Sequence, residues 1–181
     1  RSSAYTYKED FHVLTSPASP ESPGTRALEY ENLPCALEAC RQVYGYTVID
    51  APRLPREVAI ELGKLSDVVV VVFQLTVKDV NSTRSIVSSL TEAGIARERI
   101  IPLANRVRKR GPLVRFEDTK RALGLSSCRA IRSDWRKAMK SVNNAQPLAE
   151  AVRRSGLRKD VRELAVTVRS HGNNGSTKII G

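Results

Sequence analysis

No stretch of these 181 residues is long and apolar enough to cross a bilayer. The longest run, Val68 to Phe73, is the size of a strand, far short of the ~18–20 residues of a span. The opening residues, Arg1 to Asp10, are polar and aromatic and lack the apolar core of a secretory leader. The first residue is not Met, so that reading concerns these residues only. Cysteine is scarce. Cys35, Cys40 and Cys128 form no CxxC pair and no Cys/His cluster, which excludes a zinc ribbon. Their odd number argues against a disulfide framework and for reduced thiols in a cytoplasm. Acidic residues are in deficit: the net charge is +11, and most of the cations are Arg. Such an imbalance calls for an anionic partner: nucleic acid, phosphate ligands or a membrane surface. Twelve of the residues from Arg106 to Lys140 are basic and three are acidic. The aromatics among them are Phe116 and Trp135, too sparse for a base-stacking platform, and no nucleic-acid-binding motif is present.

The periodicities alternate along the chain. Phe11–Thr15 predicts a strand, followed by a Pro/Ser loop over Ser16–Gly24. A helix over about Thr25–Val43 is divided or started by Pro34, with Leu33, Leu37 and Cys40 on one face. Tyr46–Ile49 predicts a strand ending in Asp50. Pro55 opens a helix carrying Val58, Leu62 and Leu65. The segment Asp67–Phe73, apolar without a break from Val68, predicts a strand buried on both faces of a parallel sheet. "TVKD", Thr76–Asp79, resembles a capping box, and behind it Val80, Thr83, Val87 and Leu90 form a helical stripe stopped near Gly94. Arg99–Asn105 is a further strand, Phe116–Leu123 a helix ending at Gly124, and Cys128–Ile131 a short strand. Ser133 caps a helix running to Asn144. Leu157, Val161, Leu164 and Val168 mark a last amphipathic helix. The expected fold is α/β, a doubly wound and mostly parallel sheet with helices on both faces. Residues 1–169 are read as one domain and 170–181 as a flexible tail.

The strand ends carry the chemistry. In doubly wound sheets ligands bind beyond the carboxyl ends of the strands. There stand "VIDAPR", "VVVVVFQLT" and "IIPLANR", in that order. Asp50 at such a tip either contacts a metal-phosphate group or caps a turn. Taken together, "YGYTVIDAPR" (Tyr44–Arg53), "ANR" (Ala104–Arg106), "VRFEDTKRALG" (Val114–Gly124) and "AIRSDWRKAMKSVNNAQPL" (Ala130–Leu148) resemble the MinD/ParA family of deviant P-loop ATPases. Within it they are most similar to the CpaE/TadZ pilus-assembly branch. The resemblance spans about residues 11–168.

That resemblance implies roles. Asp50 is the switch aspartate that holds magnesium through water, which suits an ion that keeps much of its hydration shell. Pro52 and Arg53 lie in the switch segment that senses the γ-phosphate. Asn105 reads adenine with its amide, which offers both donor and acceptor, or it is a turn residue after a strand. Arg106 flanks the base. Ser133 and Asp134 fall in the adenine-side loop, where "RSD" replaces the family's "PND".

The family's glycine-rich turn with GK[ST] does not occur among these residues. "LGKLS", Leu62–Ser66, has no hydroxyl residue next to its Gly-Lys and sits in a helical pattern. The resemblance therefore implies a P-loop NTPase-like domain truncated at its amino terminus. ATP and Mg are expected only together with the missing P-loop segment, and the chain alone is expected to be inactive. The implied function is a cytoplasmic, nucleotide-switched homodimer for assembly or polar localisation of a pilus or secretion machine, recruited to the cell pole or inner membrane face. The alternatives are a ParA-type partition ATPase holding DNA through the basic 106–140 region, and a non-catalytic scaffold with a degenerate nucleotide site.

Overall fold

The computed structural model describes residues 4–15, 30–51, 54–108, 114–124 and 128–173. The structure falls into two compact units, residues 1–49 and 50–181. The Pro/Ser loop over 16–24 falls outside the described residues.

In the first unit, β1 (Ala4–Lys8) and β2 (Phe11–Leu14) pair antiparallel, with a register shift between Thr6 and Lys8. Tyr7 meets Phe11 edge-on at 5.7 Å, and the His12 ring lies 5.5 Å from that of Tyr44. The helix α1 (Leu33–Val43) begins with Pro34 in its first turn, where a missing N–H costs nothing. Leu33, Leu37 and Cys40 are its half-buried stripe, as the spacing predicts. The strand expected over Tyr46–Ile49 does not form. These residues join no ladder among the described residues, and Tyr46 and Val48 are exposed.

The second unit holds three parallel strands in the order β3 (Val69–Phe73), β4 (Ile100–Val107), β5 (Arg129–Arg132). Val69, Val71 and Phe73 pair with Ile100, Pro102 and Ala104 and share one face of the sheet. Helices α2 (Arg56–Leu65), α3 (Val77–Glu92) and α4 (Phe116–Leu123) supply the cover of that face. Val71 and Ile100 pack with Val87, Leu90 and Ile95, and Ile60 lies against them. Phe73 and Ala104 pack with Val80, Leu123 and Cys128. The α3 stripe read from sequence is the buried one: Val80, Thr83, Val87 and Leu90. Thr76 Oγ1 accepts the Asp79 N–H at 3.0 Å, one half of the expected capping box. Gly124 ends α4 in the left-handed region, φ 60°.

Two arginines of one 3-10 turn, Arg97–Arg99, fasten the helices to the start of β4. Arg97 donates to the carbonyls of Leu123 and Gly124, each at 3.1 Å. Arg99 donates to Gly63, Ser66 and Asp67 at the end of α2. A guanidinium at a helix carboxyl terminus satisfies orphan carbonyls and meets their partial negative charge.

At the other side of the sheet α7 (Gly156–Asn173) packs against β5. Asp160 accepts from Arg132 Nε at 2.7 Å, from Arg132 Nη2 at 2.8 Å and from the Arg132 backbone N–H at 2.9 Å. The helix turns Leu157, Asp160 and Leu164 inward and leaves Val161 exposed, so the expected stripe is rotated at that position to make room for the ion pair. It continues through Asn173, past the boundary expected at Arg169, so residues 170–173 are helical. The expected tail beyond them, 174–181, lies outside the described residues.

The expectation of equal burial along β3 fails. Val71 and Phe73 are buried, but Val72 is 57% exposed. Its strand pairs with β4 on one side and with nothing on the other among the described residues. Val72 points to the face opposite Val71 and Phe73, and that face is open at β3.

Candidate functional site at the carboxyl edge of the sheet

The carboxyl ends of β3 and β4 open into a depression of about 310 Å³, lined by Val72, Phe73, Gln74, Asp79, Asn105 and Arg106. Parallel pairing in register, Phe73 opposite Ala104, brings Gln74 and Asn105 to the same edge. The ladder between β4 and β5 breaks register between Ala104 and Val107, and Arg106 sits there with φ 56°. A non-glycine residue in that region turns the chain sharply. The Arg106 N–H donates to Asn105 Oδ1 at 2.8 Å, which leaves the Asn105 NH₂ free to donate and fixes the amide's direction.

The next loop joins from β5. The Ser133 N–H donates to the Val107 carbonyl at 2.9 Å, so residues 133–134 are tied to the end of β4. Asp134, not Ser133, caps α5 (Trp135–Asn143): its carboxylate accepts the Lys137 N–H at 3.3 Å and pairs with Lys137 Nζ at 2.9 Å. Lys137 holds the Asp134 carboxyl below the usual carboxylate range. Asp134 is thus occupied by its own helix.

Asp50 is exposed and is not among the residues lining the depression, and Pro52 and Arg53 fall outside the described residues. Among the described residues no three His, Cys, Asp or Glu side chains gather into a metal cluster. Sequence reading passed over Asp79 as a site residue. Its signal was the capping box, which places a carboxylate at a helix start beside a strand tip.

Gly63 settles the reading of "LGKLS". It lies inside α2, and a Cβ there would come within 2.6 Å of Ile95 Cδ1. It is a packing glycine, and Lys64 points to solvent one residue on. Among the described residues the depression presents the polar groups of Gln74, Asp79, Asn105 and Arg106 and no glycine-rich cradle of the kind that binds phosphates. Cys128 is a core residue, its thiol pushed up to about 11 by burial, and takes no part at this edge.

No protein-family model matches the chain, and no curated protein matches it. Among solved structures the chain is similar to a ParA family ATPase from Chlorobium tepidum TLS, with a TM-score of 0.77 and 16% identity. The match covers 90% of this chain and 67% of that one. At such identity the likeness speaks for the fold: a parallel sheet flanked by helices, as in a ParA-like P-loop NTPase. Among the described residues no helix is long and apolar enough to cross a membrane.

Proposed function

We propose that residues 1–181 supply the base-reading and switch portion of a MinD/ParA-type ATPase whose phosphate cradle comes from sequence outside this segment. The observation that carries this reading is the convergence of Gln74, Asn105 and Arg106 on the carboxyl edge of a ParA-like sheet. In this reading the Asn105 amide and Arg106 address adenine, and Ser133 and Asp134 form the neighbouring wall. Asp50 holds magnesium through water, and Pro52 and Arg53 follow the γ-phosphate. Bound Mg-ATP would supply the charge that draws two copies together. The chain's own part is to orient the base and to carry the switch.

The finer assignment is a CpaE/TadZ-like homodimer acting in pilus or secretion-machine assembly, at the cell pole or inner membrane face. The motif order from Tyr44 to Leu148 supports it. A partition ATPase holding DNA is the second reading, favoured by the +11 charge and by the ParA family name of the structural neighbour. Salt-sensitive retention of duplex DNA of any sequence separates the two.

The test is made with and without a phosphate-cradle segment in the same chain. Residues 1–181 alone turn over no ATP above background. With the cradle, Asp50→Asn abolishes ATP-dependent dimerisation while leaving the melting temperature unchanged, and Asn105→Ala weakens ATP without weakening triphosphate. Robust Mg-dependent hydrolysis by 1–181 alone, lost in Asp50→Ala, would refute this assignment of the site.

A further inference from the structure

Helix α5 leaves two large apolar side chains in water. Trp135 is 65% exposed and Val142 is 70% exposed. They stand seven residues apart, two turns of one helix face, with half-buried Met139 between them. Arg136 and Lys140 are exposed beside that line, and neither pairs with a carboxylate among the described residues. The opposite flank, Lys137, Ala138 and Ser141, is half-buried in the fold. An exposed Trp and Val bordered by cations on an amphipathic helix is the pattern of a segment lying in the plane of a bilayer interface.

We propose that the outer face of α5 docks onto anionic lipid headgroups, with Trp135 and Val142 entering the headgroup boundary and Arg136 and Lys140 meeting phosphates. Charge complementarity selects this occupant. A second copy of the chain would bring the same cations against these, and α5 itself contains no acidic residue. A nucleic-acid backbone would answer the cations and leave Trp135 and Val142 in water. The wider chain adds attraction through its net charge of +11. Two side chains and a few cations make a reversible contact rather than an anchor. The proposal is independent of the nucleotide reading.

Trp135 is the chain's sole Trp, so its emission reports on this face alone. Vesicles of phosphatidylcholine with phosphatidylglycerol should co-sediment residues 1–181 and shift the Trp135 emission to the blue. Vesicles of phosphatidylcholine alone should do neither. Arg136→Gln and Lys140→Gln should each lower the partition about five-fold, and Val142→Asp should lower it further, with circular dichroism unchanged. Three results would overturn the proposal: no co-sedimentation; co-sedimentation without a blue shift, which would place the contact elsewhere; and a shift given equally by duplex DNA or an acidic polypeptide.

Discussion

Strands β3 and β4 lie side by side in register and are both built from apolar residues, yet they live in different surroundings. In β4, Ile100, Ile101, Pro102, Leu103 and Ala104 are all buried, on both faces. In β3 burial is confined to Val71 and Phe73, the side chains that meet α3 and its neighbours, and Val72 stands in water opposite buried Leu103. The difference comes from position in the sheet. β4 has a strand on each side and is covered on both faces, whereas β3 pairs on one side only among the described residues and its second face is open at Val72. An apolar run therefore records what a strand can tolerate, and its neighbours decide what it receives.

The largest effect should fall on β4. Ile101→Ala removes a fully buried side chain and should cost about 2–5 kcal/mol in urea unfolding. A cost below that of an ordinary surface change would mean that β4 is no more central than β3. Next comes the covered side of β3. Gly63→Ala pushes a methyl toward Ile95 Cδ1 and Leu90 Cδ2 and should cost about 1–3 kcal/mol, unless α2 shifts freely. A neutral result would show that α2 is as loosely held as the open edge.

The third prediction concerns the opposite edge, where β5 is clasped by α7. The Arg132 guanidinium beside Asp160 holds its carboxyl below the usual carboxylate range. A carboxylate depressed in the folded state contributes stability that is complete above its unfolded value, about 3.9, and is lost as pH falls through the folded one. Asp160→Asn should lower the urea midpoint at neutral pH, and its deficit against the parent should shrink as the pH drops below the ordinary carboxylate range. A deficit independent of pH would assign Asp160 a packing role instead. The smallest effect should be that of Val72→Thr, within about 0.5 kcal/mol of zero. If Val72→Thr proves as costly as Ile101→Ala, the open face of β3 is covered in solution and the contrast between the strands disappears.

Much of the second unit was legible before folding. The α3 stripe, the stop of α4 at Gly124 and the β4 strand are set by short-range rules: helical spacing, a left-handed glycine, a short apolar run. What escaped depends on partners distant in sequence. β1 was not anticipated because "AYTYK" mixes polar and aromatic residues in a two-stranded ribbon and shows no continuous core face. Tyr46–Ile49 has the composition of a strand but no ladder to join. Asp134 displaced Ser133 as the α5 cap because the helix starts at Trp135 and the Asp134 carboxylate is the one that accepts the Lys137 N–H. At the site, the strand ends led us to expect Asp50, Gln74 and Asn105 on one edge; Gln74 and Asn105 line the depression and Asp50 does not. The left-handed Arg106, which aims the Asn105 amide, was not legible, because a register break leaves no mark in composition.

Among the described residues the outer edge of β3 is unpaired, and this bears on how the protein behaves in concentrated solution. A row of unmatched backbone donors and acceptors beside an exposed valine invites other extended chains to pair with it. No proline interrupts Val69–Phe73 and no charge lies within it, so the strand itself carries no guard. What keeps copies apart is their common positive charge, which acts over about 10 Å at 0.1 M salt. Colloidal stability thus depends on ionic strength: salt, or a polyanion that neutralises the surface, removes the repulsion and leaves the edge to nucleate assembly.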